Sequence, residues 1–245
     1  MTKHDSSGDF AAGALTILPV LVAVVAYGLL FGALAAQQGL SPLEVTVMSA
    51  LVFAGASQFV AVEIWTSPPG VLLLALTALM VNLRHVLMGA ALAPFIRGWP
   101  RGRSWTGLFF MTDENWALTL QRAGRTTITP AFYFGLALPL YGGWIACTTL
   151  GAVFGAVLQD PARYGLDFAF TAVFLTLLAS QWKGRRSLVP WLASAAVAVT
   201  AHALLPGVWY IVLGGLAGTL VGACQGPPLM PETYRTASGG TSDAA

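Results

Sequence analysis

Apolar runs of about 20 residues follow one another along most of the chain, with polar residues gathered between them. Each run is long enough to cross the ~30 Å hydrocarbon core of a bilayer as a helix. Lipid offers no partner for backbone N–H and C=O groups, and runs this long and uniformly apolar do not alternate as barrel strands do. The pattern therefore predicts an all-α polytopic membrane protein with seven to eight hydrophobic helical segments. Residues 1–12 read as a polar N-terminal tail and 13–225 as the transmembrane domain. Residues 226–245, rich in Pro, Gly, Ser and Thr, read as a disordered C-terminal tail. The first apolar run ends near Ala33-Leu34-Ala35, but it is too long for a cleaved signal peptide and no basic cluster precedes it.

Local signals place the segments. Pro19 interrupts the first helix and Pro139 its counterpart in the second half. Ser41-Pro42-Leu43-Glu44 has the order of a helix start, with Ser as N-cap, Pro at the first helical position and Glu three residues after the cap. That helix is expected to run past Gly55-Ala56-Ser57-Gln58 to about Trp65, where Pro68-Pro69-Gly70 turns the chain. A third helix is expected from Val71 to Ile96, followed by a shorter segment from Trp105 to Leu120. Thr112-Asp113-Glu114-Asn115 interrupts this segment and makes it too polar to face lipid, so it is expected to re-enter or break against protein or a wet cavity. The remaining helices are expected at about 131–158, 166–182, 188–204 and 208–224.

The polar positions also repeat. Ala56-Ser57-Gln58-Phe59 returns 123 positions later as Ala179-Ser180-Gln181-Trp182. The same displacement carries Gly28, Phe31, Gly32 and Ala33 onto Gly151, Phe154, Gly155 and Ala156, and Leu43-Glu44 onto Leu166-Asp167. Several matches at one offset indicate duplication, with repeat one at about 13–122 and repeat two at about 131–225. Repeat one has its basic cluster (Arg97, Arg101, Arg103) after its third helix, whereas repeat two has it (Lys183, Arg185, Arg186) after its second. Because cytoplasmic loops collect Lys and Arg, the halves are expected to be inverted, with the loops at Ser67 and Pro206 outside.

Composition narrows the function. Hydrophobic residues make up 56% and charged residues 9%, and the net charge is only +2. The basic residues sit in connections, so they report topology and not nucleic-acid binding. Cys147 and Cys224 fall in apolar segments and suggest no disulfide, metal site or redox role. There is no nucleotide-binding loop, metal-ligand spacing or nucleophile elbow, so neither an enzyme nor a cofactor is expected. The aromatic residues Trp65, Trp99, Trp144, Trp182 and Trp209 read as interfacial anchors, and Glu44 and Asp167 as helix-start carboxylates.

Against this background a few residues are out of place. Arg84 lies about halfway along its helix, where a charge costs roughly 2.5 to 3.5 kcal/mol on insertion scales. It calls for an anion, and Asp113 or Glu114 are the leading partners, with Glu63 the other choice. A structural ion pair and a substrate site both explain such a bridge. His85 shares a face with Asn82, and histidine is the side chain that exchanges protons near neutral pH. His202 stands at a roughly corresponding place in repeat two; at either position a hydrogen-bonded core histidine is the alternative to a proton carrier. Ser57 and Gln58, with Ser180 and Gln181, offer uncharged donors and acceptors, and their small neighbours also suit close helix packing. Together these residues suggest either a coupled transporter or a channel for small neutral solutes.

Leu18-Pro19, the stretch from Gly39 to Glu44, Phe53-Ala-Gly-Ala-Ser-Gln-Phe59, Asn82-Leu-Arg-His-Val-Leu87 and Thr112-Asp-Glu114 resemble the AzlC family, the large subunit of bacterial branched-chain amino acid exporters. The resemblance runs in order from about Gly13 to Gly222. Leu87-Met88-Gly89 stands where the family often carries Leu-Tyr-Gly. The resemblance implies a multi-pass exporter in the bacterial inner (plasma) membrane, moving valine, leucine, isoleucine and methionine. It also implies a small AzlD-type membrane subunit as partner and a proton gradient as driving force.

Overall fold

The computed structural model describes residues 6–66, 68–156, 184–205 and 209–225, together with residues 175, 178, 179 and 182. All regular structure among these residues is helical. The chain separates into two compact units, one built from residues 1–120 and 127–181, the other from 121–126 and 182–245.

In the first unit, α1 (Ser6–Gln37) and α7 (Pro130–Gly155) form the central pair. Each continues through its internal proline, Pro19 in α1 and Pro139 in α7. Glycines let the two backbones touch. A Cβ on Gly32 would fall on the Thr148 carbonyl and within 2.5 Å of the Ala152 nitrogen, and one on Gly155 would come within 2.6 Å of the Ala33 Cα. The start of α1 is tied to the start of α7, because Thr129 caps α7 and its hydroxyl also donates to Asp9 at 2.8 Å.

The expected second helix is two helices. α2 (Pro42–Val52) opens with the predicted capping box, in which the Ser41 amide donates to Glu44 Oε2 at 2.7 Å and the Glu44 amide to Ser41 Oγ at 3.3 Å. It ends at Phe53, whose φ of 40° and ψ of 46° are left-handed, and α3 (Gly55–Glu63) starts afresh. Such a backbone costs a non-glycine residue on the order of 1 kcal/mol. The surroundings offset it: the Phe53 ring meets Tyr141 edge-on at 4.9 Å, and the Tyr141 hydroxyl donates at 3.0 Å to the Ala50 carbonyl near the end of α2.

α4 (Val71–Ile96) occupies the predicted range. The polar interruption that follows it divides α5 (Arg101–Phe109) from α6 (Asp113–Ala123). The Trp116 indole donates to the Met88 carbonyl of α4 at 3.0 Å, and the Tyr133 hydroxyl of α7 to the Gly107 carbonyl of α5 at 2.8 Å. One apolar cluster joins α1, α2, α3 and α7 through residues such as Ile17, Phe31, Val45 and Leu136. A second gathers Met88, Leu92 and Ile96 of α4 with Met111 and Tyr133.

In the second unit, α8 (Leu188–Leu204) and α9 (Trp209–Cys224) pack together, with Gly214 and Gly218 of α9 against Ser194 of α8. Arg186 donates to the Gln225 carbonyl at 2.8 Å.

Among the described residues, four helical stretches are long and apolar enough to cross a membrane: residues 7–37, 71–96, 130–155 and 184–204. The side chains they leave uncovered are those of a lipid-facing surface, such as Leu15, Val22, Leu72, Val86 and Leu87. Most of the expected helix at 166–182 lies outside the described residues, including Asp167, Ser180 and Gln181, as do the loop positions Ser67 and Pro206 and the tail from residue 226.

Candidate functional site

The two helix breaks in the first unit open on a common cavity of about 280 Å³. That volume lies just under the roughly 300 to 1,000 Å³ of drug-sized ligand sites, which suits a smaller substrate. Ala54, Gly55 and Ala56 contribute the α2 to α3 break, while Thr112, Asp113 and Glu114 contribute the α5 to α6 break. Arg84 and His85 enter from α4, and Val20, Val24, Tyr27, Leu140 and Trp144 supply much of the apolar wall.

The charges face each other. Arg84 Nη1 lies 2.8 Å from Asp113 Oδ2, with about a third of each side chain exposed (30% and 40%). Of the anions proposed from the sequence, Asp113 is the one within ion-pair distance; Glu114 borders the same cavity, and Glu63 is an exposed residue at the end of α3. Arg84 Nε, although buried, has no hydrogen-bond partner among the described residues. The guanidinium thus keeps a donor beyond the one Asp113 uses.

The two helix starts on the cavity differ. The α6 start is closed by its own residues: the Thr112 amide donates to Asn115 Oδ1 at 3.0 Å, and the Asn115 amide to Thr112 Oγ1 at 3.4 Å. The α3 start has Ala54 as N-cap and no side chain capping it. An uncapped helix start carries partial positive charge and free N–H groups, whereas the α6 start adds two carboxylates. The cavity therefore has a cationic side, from Arg84 and the α3 amides, and an anionic side at Asp113 and Glu114.

The predicted uncharged residues stand behind this surface. Ser57, 2% exposed, donates to the Ala54 carbonyl at 2.9 Å and accepts from Asn82 Nδ2 at 3.2 Å, so it ties α3 to α4. His85 Nδ1 is 3.3 Å from the Asn82 carbonyl oxygen. Gln58 Nε2 donates to Ser49 Oγ at 3.2 Å, and Gln58 Oε1 accepts from the Trp144 indole at 3.0 Å. Neither Ser57 nor Gln58 is among the cavity-lining residues. The structure thus brings Ser57, Asn82, Arg84, His85, Asp113 and Glu114 to one region, with Gln58 one layer behind. His202 belongs to the second unit, where it is exposed and its ring meets Tyr210 at 5.1 Å.

Trp144 differs from its expected role. It lies mid-way along α7, is 7% exposed and lines the cavity, so it is no interfacial anchor. Tyr27 and Phe53 were also not singled out from the sequence as cavity residues, and no local signal marks an aromatic as wall and not as core.

The family model described as AzlC protein matches residues 19–158. The chain belongs to the AzlC family. Every cavity-lining residue, from Val20 to Trp144, falls inside the matched stretch. Among similar proteins, an uncharacterized membrane protein of Archaeoglobus fulgidus is 30% identical over 92% of this chain and 100% of its own length. Inner membrane protein YgaZ of Escherichia coli is 29% identical over 91% of this chain and 94% of its own. The branched-chain amino acid transport protein AzlC of Bacillus subtilis is 25% identical over 82% of this chain and 78% of its own. No solved structure matches the chain.

Proposed function

We propose that this AzlC-family chain is the large subunit of a secondary exporter of branched-chain amino acids in the bacterial plasma membrane, working with a small AzlD-type subunit and driven by protons. The observation that carries the reading is the Arg84 to Asp113 ion pair on the rim of an otherwise largely apolar cavity between two helix breaks. An aliphatic amino acid presents a carboxylate, an ammonium and an apolar side chain. Arg84 and the α3 amides suit the carboxylate, Asp113 and Glu114 the ammonium, and Val20, Val24 and Leu140 the side chain. The name of the Bacillus subtilis relative supports the substrate class.

In this reading the substrate exchanges with the internal ion pair. Its carboxylate takes over Arg84 and its ammonium takes over Asp113, so binding releases one helix contact while replacing each charge partner. In this reading His85 is the proton carrier.

Counterflow of labelled leucine, valine and methionine in vesicles containing the chain with and without its small partner tests the proposal. Accumulation against a gradient when a proton gradient is applied is expected. Simple equilibration would identify a channel, and no movement with the partner present would remove the proposal.

A further inference from the structure

We propose that Gln58 is a positioning residue that holds the Trp144 indole as the size-limiting wall of the cavity, so that the pair sets the largest apolar side chain the site admits. This rests on the reading of the cavity as an amino-acid site. Trp144 is held on three sides. Its Nε1–H donates to Gln58 Oε1 at 3.0 Å, its ring stacks on Phe31 with centroids 5.8 Å apart and planes at 26°, and its six-membered edge abuts Gly55. A Cβ at position 55 would come within 3.3 Å of the indole, tight enough that the ring would have to give by a few tenths of an ångström. Both border the cavity.

Gln58 itself is anchored by a closed, uncharged network. Its Nε2 donates to Ser49 Oγ at 3.2 Å, and Ser49 Oγ also accepts from Thr148 Oγ1 at 2.9 Å. Ser49 and Thr148 are 0% exposed and Gln58 1%. The network spans α2, α3 and α7, and Gln58, buried and not among the cavity-lining residues, is out of a substrate's direct reach. Gln58 therefore influences a substrate through the ring it holds. The Arg84 and Asp113 groups, which suit the zwitterionic end, make no hydrogen bond to this network among the described residues. Loosening the indole is thus expected to change which side chains fit before it changes how the charged end is held.

The test is the ratio of phenylalanine to leucine counterflow in vesicles containing the chain with its small partner. Trp144→Phe and Gln58→Met are each expected to raise that ratio about tenfold, the scale on which an apolar pocket distinguishes neighbouring side-chain sizes. The double variant is expected to match Trp144→Phe alone, because no indole N–H is left for Gln58 to hold. Gln58→Glu, which keeps an acceptor oxygen but loses the amide donor to Ser49, is expected to raise the ratio by less than Gln58→Met. Should Gln58→Met not give a monodisperse protein, Gln58→Glu and Trp144→Phe decide between them. A wild-type protein that moves leucine while the ratio stays fixed in Trp144→Phe overturns this proposal alone, as does a double variant in which the two effects multiply. A wild-type protein that moves neither amino acid removes the amino-acid reading and this proposal together.

Discussion

At the scale of single residues, the proposed exchange rests on a cation that the surrounding sequence gives no cheap way to keep. Arg84 sits in an apolar helix, and Asp113 meets it at 2.8 Å from a different one. Replacing either should cost more than the modest worth of an exposed pair, because the group left behind faces a largely apolar cavity. Arg84→Ala and Asp113→Asn are each expected to lower leucine counterflow at least about tenfold, the change in rate that ~1.4 kcal/mol of lost transition-state stabilisation produces. Wild-type efflux in Arg84→Ala would remove the exchange mechanism. His85→Gln is expected to abolish the dependence of transport on an imposed pH gradient while leaving the protein folded, as read by size exclusion and by uptake rates at matched pH. Arg84 and Asp113 were legible in the sequence because a charge amid apolar residues stands out without any knowledge of the fold. Trp144 was not, since a tryptophan reads the same whether it anchors at a headgroup or closes a cavity. Its partner Gln58 is 86 positions away, and only the folded chain makes them neighbours.

At the scale of elements, caps and apolar length were readable and backbone reversals were not. Ser41 and Glu44 announce α2, and the run from Val71 to Ile96 is apolar enough to give α4 its bounds. The end of α2 carries no such mark: Phe53 is neither glycine nor proline, and the aromatic neighbour from α7 that packs on it is distant in sequence. The glycines repeated between the halves also acquire a physical reason. Gly28 and Gly32 of α1 face Cys147, Thr148 and Ala152 of α7, while Gly151 and Gly155 of α7 face Leu29 and Ala33 of α1. Each copy of the small-residue stripe makes room for the other helix. Gly32→Ala is expected to destabilise the protein by about 1 to 3 kcal/mol, as overpacking does, in thermal unfolding of the detergent-solubilised protein. Gly142→Ala, where a Cβ would meet nothing within 4 Å, is the matched control and is expected to hold or gain stability, by up to about 1 kcal/mol, as replacing an unhindered helical glycine does.

For the whole molecule, the expectation that reaches furthest is the inverted arrangement of the two halves, drawn from where Arg and Lys collect. It is directly testable by labelling. Cys147 is buried and Cys224 exposed, so a Cys224→Ser background leaves little reactive thiol. In that background Ser67→Cys is expected to react with a membrane-impermeant maleimide added outside intact cells, and protection there with reaction only after lysis would refute the arrangement. Length and apolarity made the all-helical membrane class legible at this scale, whereas the division of one expected crossing into α2 and α3 needed coordinates. That division has a mechanical side. An unbroken helix resists bending because each degree of bend strains a ladder of hydrogen bonds, but at Phe53 the ladder has already stopped. The 9-residue α3 can swing there as a rigid rod of about 13 Å without severing any rung of either helix. What such a swing must unfasten is side-chain work: the amide of Gln58 from the hydroxyl on α2 and the indole on α7, and the hydroxyl of Ser57 from the amide on α4.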